Sequence, residues 1–157
     1  MADDPLDDFD ADDITHLGAA RRVYRIGAGP AVIVMAEMPG ITPGVADFAR
    51  KVAAIGATAV VPSMFGVDGR DPHPASRGTL GAVTSMLGTV ARACVSREFT
   101  ILAAGRSSPI VDWLRELARA EHQRCGGPGV GAVGMCFTGG FALAMAADDV
   151  ILAAAQV

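Results

Sequence analysis

The sequence predicts an α/β fold, a mostly parallel sheet with flanking helices. Three observations carry that prediction. Continuous apolar runs at Ala31–Ala36, Ala57–Val61 and Val130–Met135 suit strands buried on both faces. Segments with helical apolar spacing lie between those runs. Of the 157 residues, 51% are apolar and 19% charged, enough for one domain with a sizeable core and too apolar for a disordered chain.

The first 13 residues hold seven of the 17 acids, so residues 1–13 read as a solvated, disordered lead-in to a domain over residues 14–157. Val23–Ile26 is a short strand before the turn Gly27–Pro30. Ala31–Ala36 is the first buried strand, and a loop with Pro39 and Pro43 follows it. Val45, Phe48, Ala49, Val52 and Ile55 share one helix face, and Gly56 supplies a C-cap. Ala57–Val61 is the next strand, closed by Pro62. A long loop over Ser63–Gly78 leads to a helix marked by Leu80, Val83, Leu87, Val90 and Ala91. Phe99–Ala104 is a strand or a loop. Pro109 opens a helix over Ile110–Gln123, with Val111, Leu114, Leu117 and Ala118 inward. After the turn Cys125–Gly129 come a strand, Val130–Met135, an apolar helix, Phe137–Ala147, and a last strand, Val150–Val157. Strand and helix in alternation imply right-handed crossovers in a parallel sheet. The last strand has no covering helix after it, so its apolar edge is an expected solubility liability.

Charge excludes one class of partner. Beyond the acidic lead-in, 10 acids face 13 bases, with no basic stripe of the kind that grips nucleic acid. No apolar run reaches the ~18 residues of a membrane span. The acidic start has no positive region of the kind a signal peptide carries. Cys94, Cys125 and Cys136 form neither a disulfide framework nor a zinc spacing, so reduced thiols in a cytoplasm are the expectation, with no metal.

Chemistry concentrates at residues 129–140. Gly129-Val-Gly131-Ala-Val-Gly134 matches the dinucleotide pattern G-x-G-x-x-G. Its context is wrong, because turn residues precede it and the pattern itself spells a strand. Gly134-Met-Cys136-Phe-Thr-Gly139-Gly140 is a better match to a nucleophile elbow, with Cys where Ser is usual. A strand turns directly into a helix there, so the nucleophile takes a strained backbone and small neighbours are needed. Gly134, Gly139 and Gly140 provide that room. The helix N-terminus favours a thiolate, and the Phe137 N–H can stabilise an oxyanion. Thr138 departs from the pattern, which wants Gly. The alternative is a buried structural Cys packed among glycines. Glu37 ends an apolar run at the carboxyl edge of the sheet, where catalytic sites form.

These residues resemble the dienelactone hydrolase family, a branch of the α/β-hydrolases with a Cys nucleophile. The resemblance covers about residues 20–157. It rests on Gly134-Met-Cys136-Phe-Thr-Gly-Gly140, on Ala36-Glu37-Met38-Pro39-Gly40-Ile41, and on Val60-Val-Pro62-Ser-Met-Phe65. It implies an α/β-hydrolase-type sheet and an ester or lactone hydrolase working through an acyl-cysteine. Cys136 resembles the nucleophile, and Glu37 the carboxylate that helps ionise it. Met38 and Phe137 resemble the backbone donors of the oxyanion hole. The implied partner is a small enol-lactone or ester, with no cofactor.

In this family the triad Asp and His follow the nucleophile. The 21 residues after Cys136 contain Asp148 and Asp149 but no His. Both Asp read as a solvated helix end. His16 and His122 are expected to face solvent, and His73 lies in the long loop. Arg70, Arg77 and Arg106 are basic groups that could hold a substrate carboxylate, or simply be solvated. The chain thus resembles the N-terminal two-thirds of the domain, with the C-terminal strands and helices missing. A fragment, inactive or incomplete by itself, is the expectation. The rival is a non-catalytic remnant or binding module with the same fold.

Overall fold

A computed structural model describes residues 2–72 and 108–157. The expected helix near Leu80–Ala91 and the segment Phe99–Ala104 lie outside the described residues, as do Cys94, His73, Arg77 and Arg106.

Six strands form one sheet. They are β1 (Asp10–His16), β2 (Ala19–Gly27), β3 (Ala31–Met35), β4 (Thr58–Pro62), β5 (Val130–Gly134) and β6 (Ile151–Gln156), in the order β1-β2-β4-β3-β5-β6. From β4 across β3 and β5 to β6 every pairing is parallel. The β1–β2 and β2–β4 pairings are antiparallel, so the sheet is mixed at its N-terminal end. The described helices are α1 (Pro43–Ala54), α2 (Pro109–Cys125) and α3 (Gly139–Met145). None is long and apolar enough to cross a membrane.

The apolar runs fold as their patterns imply. In β3, Ile33 and Met35 join a core with Trp113, Leu114 and Leu117 of α2 and Phe141 of α3. The alternate residue Val34 joins the opposite core with Ala46 and Ala49 of α1. A strand clothed on both faces needs apolar side chains at every position. Helix α1 starts where its signals lie: Thr42 Oγ1 accepts the Val45 N–H at 3.3 Å, and Pro43 opens the first turn. Helix α2 is tied to β2 by a buried ion pair, Arg25 to Glu121 at 2.6 Å, with side chains 5% and 3% exposed. Burial disfavours the Arg25 charge, but the Glu121 hydrogen bond and charge outweigh it, so its pKa rises.

Two expectations are corrected. The apolar segment after β5 does not enter a helix at Phe137. Cys136–Thr138 forms a 3-10 turn, and α3 begins at Gly139. The acidic lead-in is not disordered. Residues 10–16 form β1 against β2, and Leu6 and Phe9 are buried at 6% and 8% exposure. The acids have specific partners. Arg50 of α1 donates to Asp4 at 2.7 Å and to Asp8 at 2.7 Å, and its guanidinium lies 5.2 Å from the Phe9 ring centroid.

The Arg50 hydrogen bonds hold the carboxyls of Asp4 and Asp8 below their ordinary value of 3.8. Both are depressed relative to the unfolded chain, so their contribution is complete above that value and is lost as pH falls through the folded values. Limited proteolysis is therefore expected to release residues 2–9 at about pH 2–3 and to spare them at about pH 5.

Candidate active site

Strand β5 delivers Cys136 to the carboxyl edge of the sheet. Met135 is still extended, at φ −98°, and Cys136 then turns to φ +52°. A non-glycine residue in that region is uncommon and is a mark of strained functional positions. The Cys136 residue is exposed. The turn demands Gly134, since a side-chain carbon there would overlap the backbone at Thr138 and Gly139. At Gly139 the obstacle is only the Gln156 side chain. Gly140 faces open space, so the crowding expected from the elbow pattern does not extend to it.

Thr138 is the residue that sequence reasoning undervalued. It is fully buried, and its Oγ1 accepts the Met135 N–H at 2.8 Å. The hydroxyl proton faces the carbonyls of Met35 at 2.8 Å and Met135 at 2.9 Å. A glycine could not join β3 to the elbow in this way. Thr138→Val keeps the shape and deletes the hydroxyl, so a loss of about 1–3 kcal/mol is expected in denaturant unfolding.

Strand β6 closes the elbow from the other side. The Cys136 N–H donates to the Val157 carbonyl at 3.0 Å, and the Val157 N–H donates to the Gly134 carbonyl at 3.0 Å. Gln156 Nε2 donates to the Cys136 carbonyl at 3.3 Å.

Glu37 reaches the same edge from the adjacent strand. Met35 pairs with Gly134 in the parallel register, and the Met135 N–H donates to the Met35 carbonyl at 3.2 Å. Glu37 and Cys136 each lie two residues beyond the ends of these paired strands, at the same edge of the sheet. Glu37 is exposed, and its carbonyl accepts the Gly40 N–H at 2.8 Å, closing a tight turn that contains Met38. Phe137 stands 45% exposed in the middle of the 3-10 turn. Its ring packs edge-on against buried Phe141, 5.4 Å between centroids.

Other titratable groups singled out in the sequence have their own surroundings where the structure describes them. Asp148 sits past the far end of α3 from Cys136, and is not a solvated group: its side chain is 6% exposed and pairs with Arg119. His16, expected to face solvent, packs edge-on against Trp113 at 5.7 Å between centroids. His122 is half-buried on α2. Arg70 is exposed in the loop after β4. Among the described residues no group of three or more His, Cys, Asp or Glu could hold a metal ion.

A family model described as the dienelactone hydrolase family matches residues 19–157. The chain belongs to the dienelactone hydrolase family. Its fold recurs in solved structures of low identity. A protein assigned as a dienelactone hydrolase from Klebsiella pneumoniae subsp. pneumoniae is 18% identical at TM-score 0.57, covering 91% of this chain and 56% of that one. A cold-adapted esterase from an Arctic intertidal metagenomic library is 15% identical at TM-score 0.54, covering 95% and 58%. A thioesterase domain from the curacin biosynthetic pathway is 13% identical at TM-score 0.52, covering 90% and 40%. This dienelactone hydrolase family chain thus spans about half the length of the solved structures it resembles. No curated protein matches it. The sheet of mostly parallel strands with flanking helices is the α/β-hydrolase type expected from the sequence.

Proposed function

We propose that the protein is a hydrolase of small esters or lactones that works through an acyl-cysteine on Cys136. One observation carries the reading: an exposed cysteine at φ +52° at a strand-to-helix corner, two residues beyond a strand end whose parallel partner, Met35, lies two residues before Glu37.

The chemistry follows from that placement. Glu37 takes the thiol proton, and the Cys136 thiolate attacks the substrate carbonyl carbon. The carbonyl oxygen becomes an oxyanion, met by the backbone N–H groups of Met38 and Phe137. Collapse breaks the bond to the ester oxygen, which leaves as an alkoxide and takes up a proton. For an enol-lactone the leaving group is a stabilised enolate, and it stays attached to the acyl chain because the ring has opened. Water then cleaves the thioester, returning the thiol and releasing a carboxylic acid. A nucleophilic thiol needs a reducing compartment, which favours the cytoplasm. No organic cofactor or metal enters these steps.

Thioester hydrolysis is the step these residues support least. None of the 21 residues after Cys136 is a histidine, and triad members act as a unit. The purified 157-residue chain is therefore proposed to acylate once and to turn over negligibly. The test is intact-mass analysis after mixing with an activated aryl ester. One acyl group on the peptide containing Cys136 is the expected product. An unmodified thiol would overturn the reading in favour of a non-catalytic module with the same fold. Multiple turnovers at ordinary enzyme rates would overturn the single-turnover expectation.

A further inference from the structure

We propose that the acidic N-terminal segment, residues 3–9, is a positioning element that sets the Glu37–Met38 loop. The proposal rests on the roles given above to Glu37 and Met38. The segment precedes the family match, which begins at residue 19.

The contacts form a continuous relay. Arg50 anchors the segment to α1 through both carboxylates, Asp4 and Asp8. Leu6 and Phe9 seal it into the core that also holds Ile41, Val45 and Ala46. From there the Asp4 N–H donates to the Gly69 carbonyl at 2.7 Å, and the Asp3 carboxylate accepts the Asp71 N–H at 2.8 Å. Gly69 passes the constraint on, donating its N–H to the Ile41 carbonyl at 2.6 Å. The same loop presses on the other end of the turn. Gly66 lies so close to the Pro39 carbonyl that a side-chain carbon would overlap it. The loop itself is pinned to the sheet, since Tyr24 Oη and Ser63 Oγ both donate to Asp68, at 3.1 and 2.8 Å. Pro39, inside the Glu37–Gly40 turn, and Ile41, just after it, are therefore both held by this loop. The oxyanion donor on Met38 must hold its place to a fraction of an ångström to be useful.

The arrangement is specific to a positioning role because the anchor and the chemistry are separate. Arg50 faces Asp4, Asp8 and Asp47, and touches neither Glu37 nor Cys136 among the contacts described. Losing it should loosen the turn without altering what binds substrate.

Two variants and a control test this, using the whole chain and an activated aryl ester as the probe. Arg50→Gln removes the anchor. Gly69→Ala crowds the Asp4 carbonyl and strains a backbone at φ +76° while leaving every charge in place, and retained amide protection in β3 and β5 shows that the variant folds. Ile110→Val, in the core on the opposite face of the sheet, supplies a stability loss that does not touch the relay. For both relay variants the limiting rate of Cys136 acylation is expected to fall about tenfold. The ester concentration giving half that rate should stay within about twofold of wild type, since ground-state binding is untouched. Hydrogen exchange at the Gly40 and Gly69 amides should quicken about tenfold, while amides of β3 and β5 keep their protection. The Ile110→Val control should change none of these. Relay variants that acylate like wild type, or retain wild-type exchange at Gly40, overturn the positioning role. So does an equal loss of acylation in the control. A wild-type chain that the ester leaves unmodified overturns the reading of the site itself, and the positioning role falls with it.

Discussion

Cys136→Ala is expected to abolish acyl transfer to the protein, with the fold intact. The side chain is exposed at the corner of the elbow, so its loss opens no cavity, and the strained backbone loses nothing that packs. Cys136→Ser is the more informative variant. It keeps the shape and offers an oxygen nucleophile whose proton is far harder to remove. Glu37 can assist a thiol, but ionising an alcohol asks for a stronger base such as a positioned His. Acylation of the serine variant should therefore be slower by about 10³-fold or more. The check is a time course of adduct formation by intact mass, with Cys125 as the internal reference thiol. A serine variant that acylates as fast as wild type would mean that Glu37 does not set the reactivity.

Glu121→Ala should be the most damaging single change to stability. Arg25 and Glu121 are nearly sealed from water, and Arg25 Nε and Nη2 both donate to the same carboxylate oxygen. Removing the carboxylate strands a buried guanidinium whose remaining partner among the described residues is Asp12, an exposed acid on β1. Breaking such a pair typically costs about 3–5 kcal/mol. Denaturant unfolding followed by Trp113 fluorescence measures it, because Trp113 lies on α2 and its Nε1 donates to the Ala19 carbonyl of β2. The double variant Arg25→Met with Glu121→Leu should recover most of the loss, since the penalty lies in the unpaired charge rather than the missing attraction. A single variant as stable as wild type would show that water reaches Arg25.

The parts of this molecule that were legible in the sequence share one property: their structure is decided locally. Strands β3, β4 and β5 are buried on both faces, which leaves unbroken apolar runs. Cys136 and Glu37 were visible because each ends such a run. Strand β1 was not legible, because an edge strand with Asp10, Asp12 and Asp13 shows neither alternation nor an apolar run. What orders the residues before it is Arg50, more than 40 positions away, and a charge run carries no sign of where its counter-charge lies. Thr138 was hidden for the same reason. Read locally it spoils a glycine pattern, whereas one of its partners is the carbonyl of Met35, 103 residues earlier. The elbow pattern also overreached at Gly140, where a rule about glycines stood in for a question about space.

The hydrogen bonds between the end of β6 and the elbow fix an order of events during synthesis. The backbone of Cys136 is held by Val157 and Gln156, about twenty residues downstream. A nascent chain whose emerged portion stops short of them carries Cys136 without those hydrogen bonds. The corner that the proposed acylation requires is therefore complete only once the neighbouring strand has left the ribosome and docked.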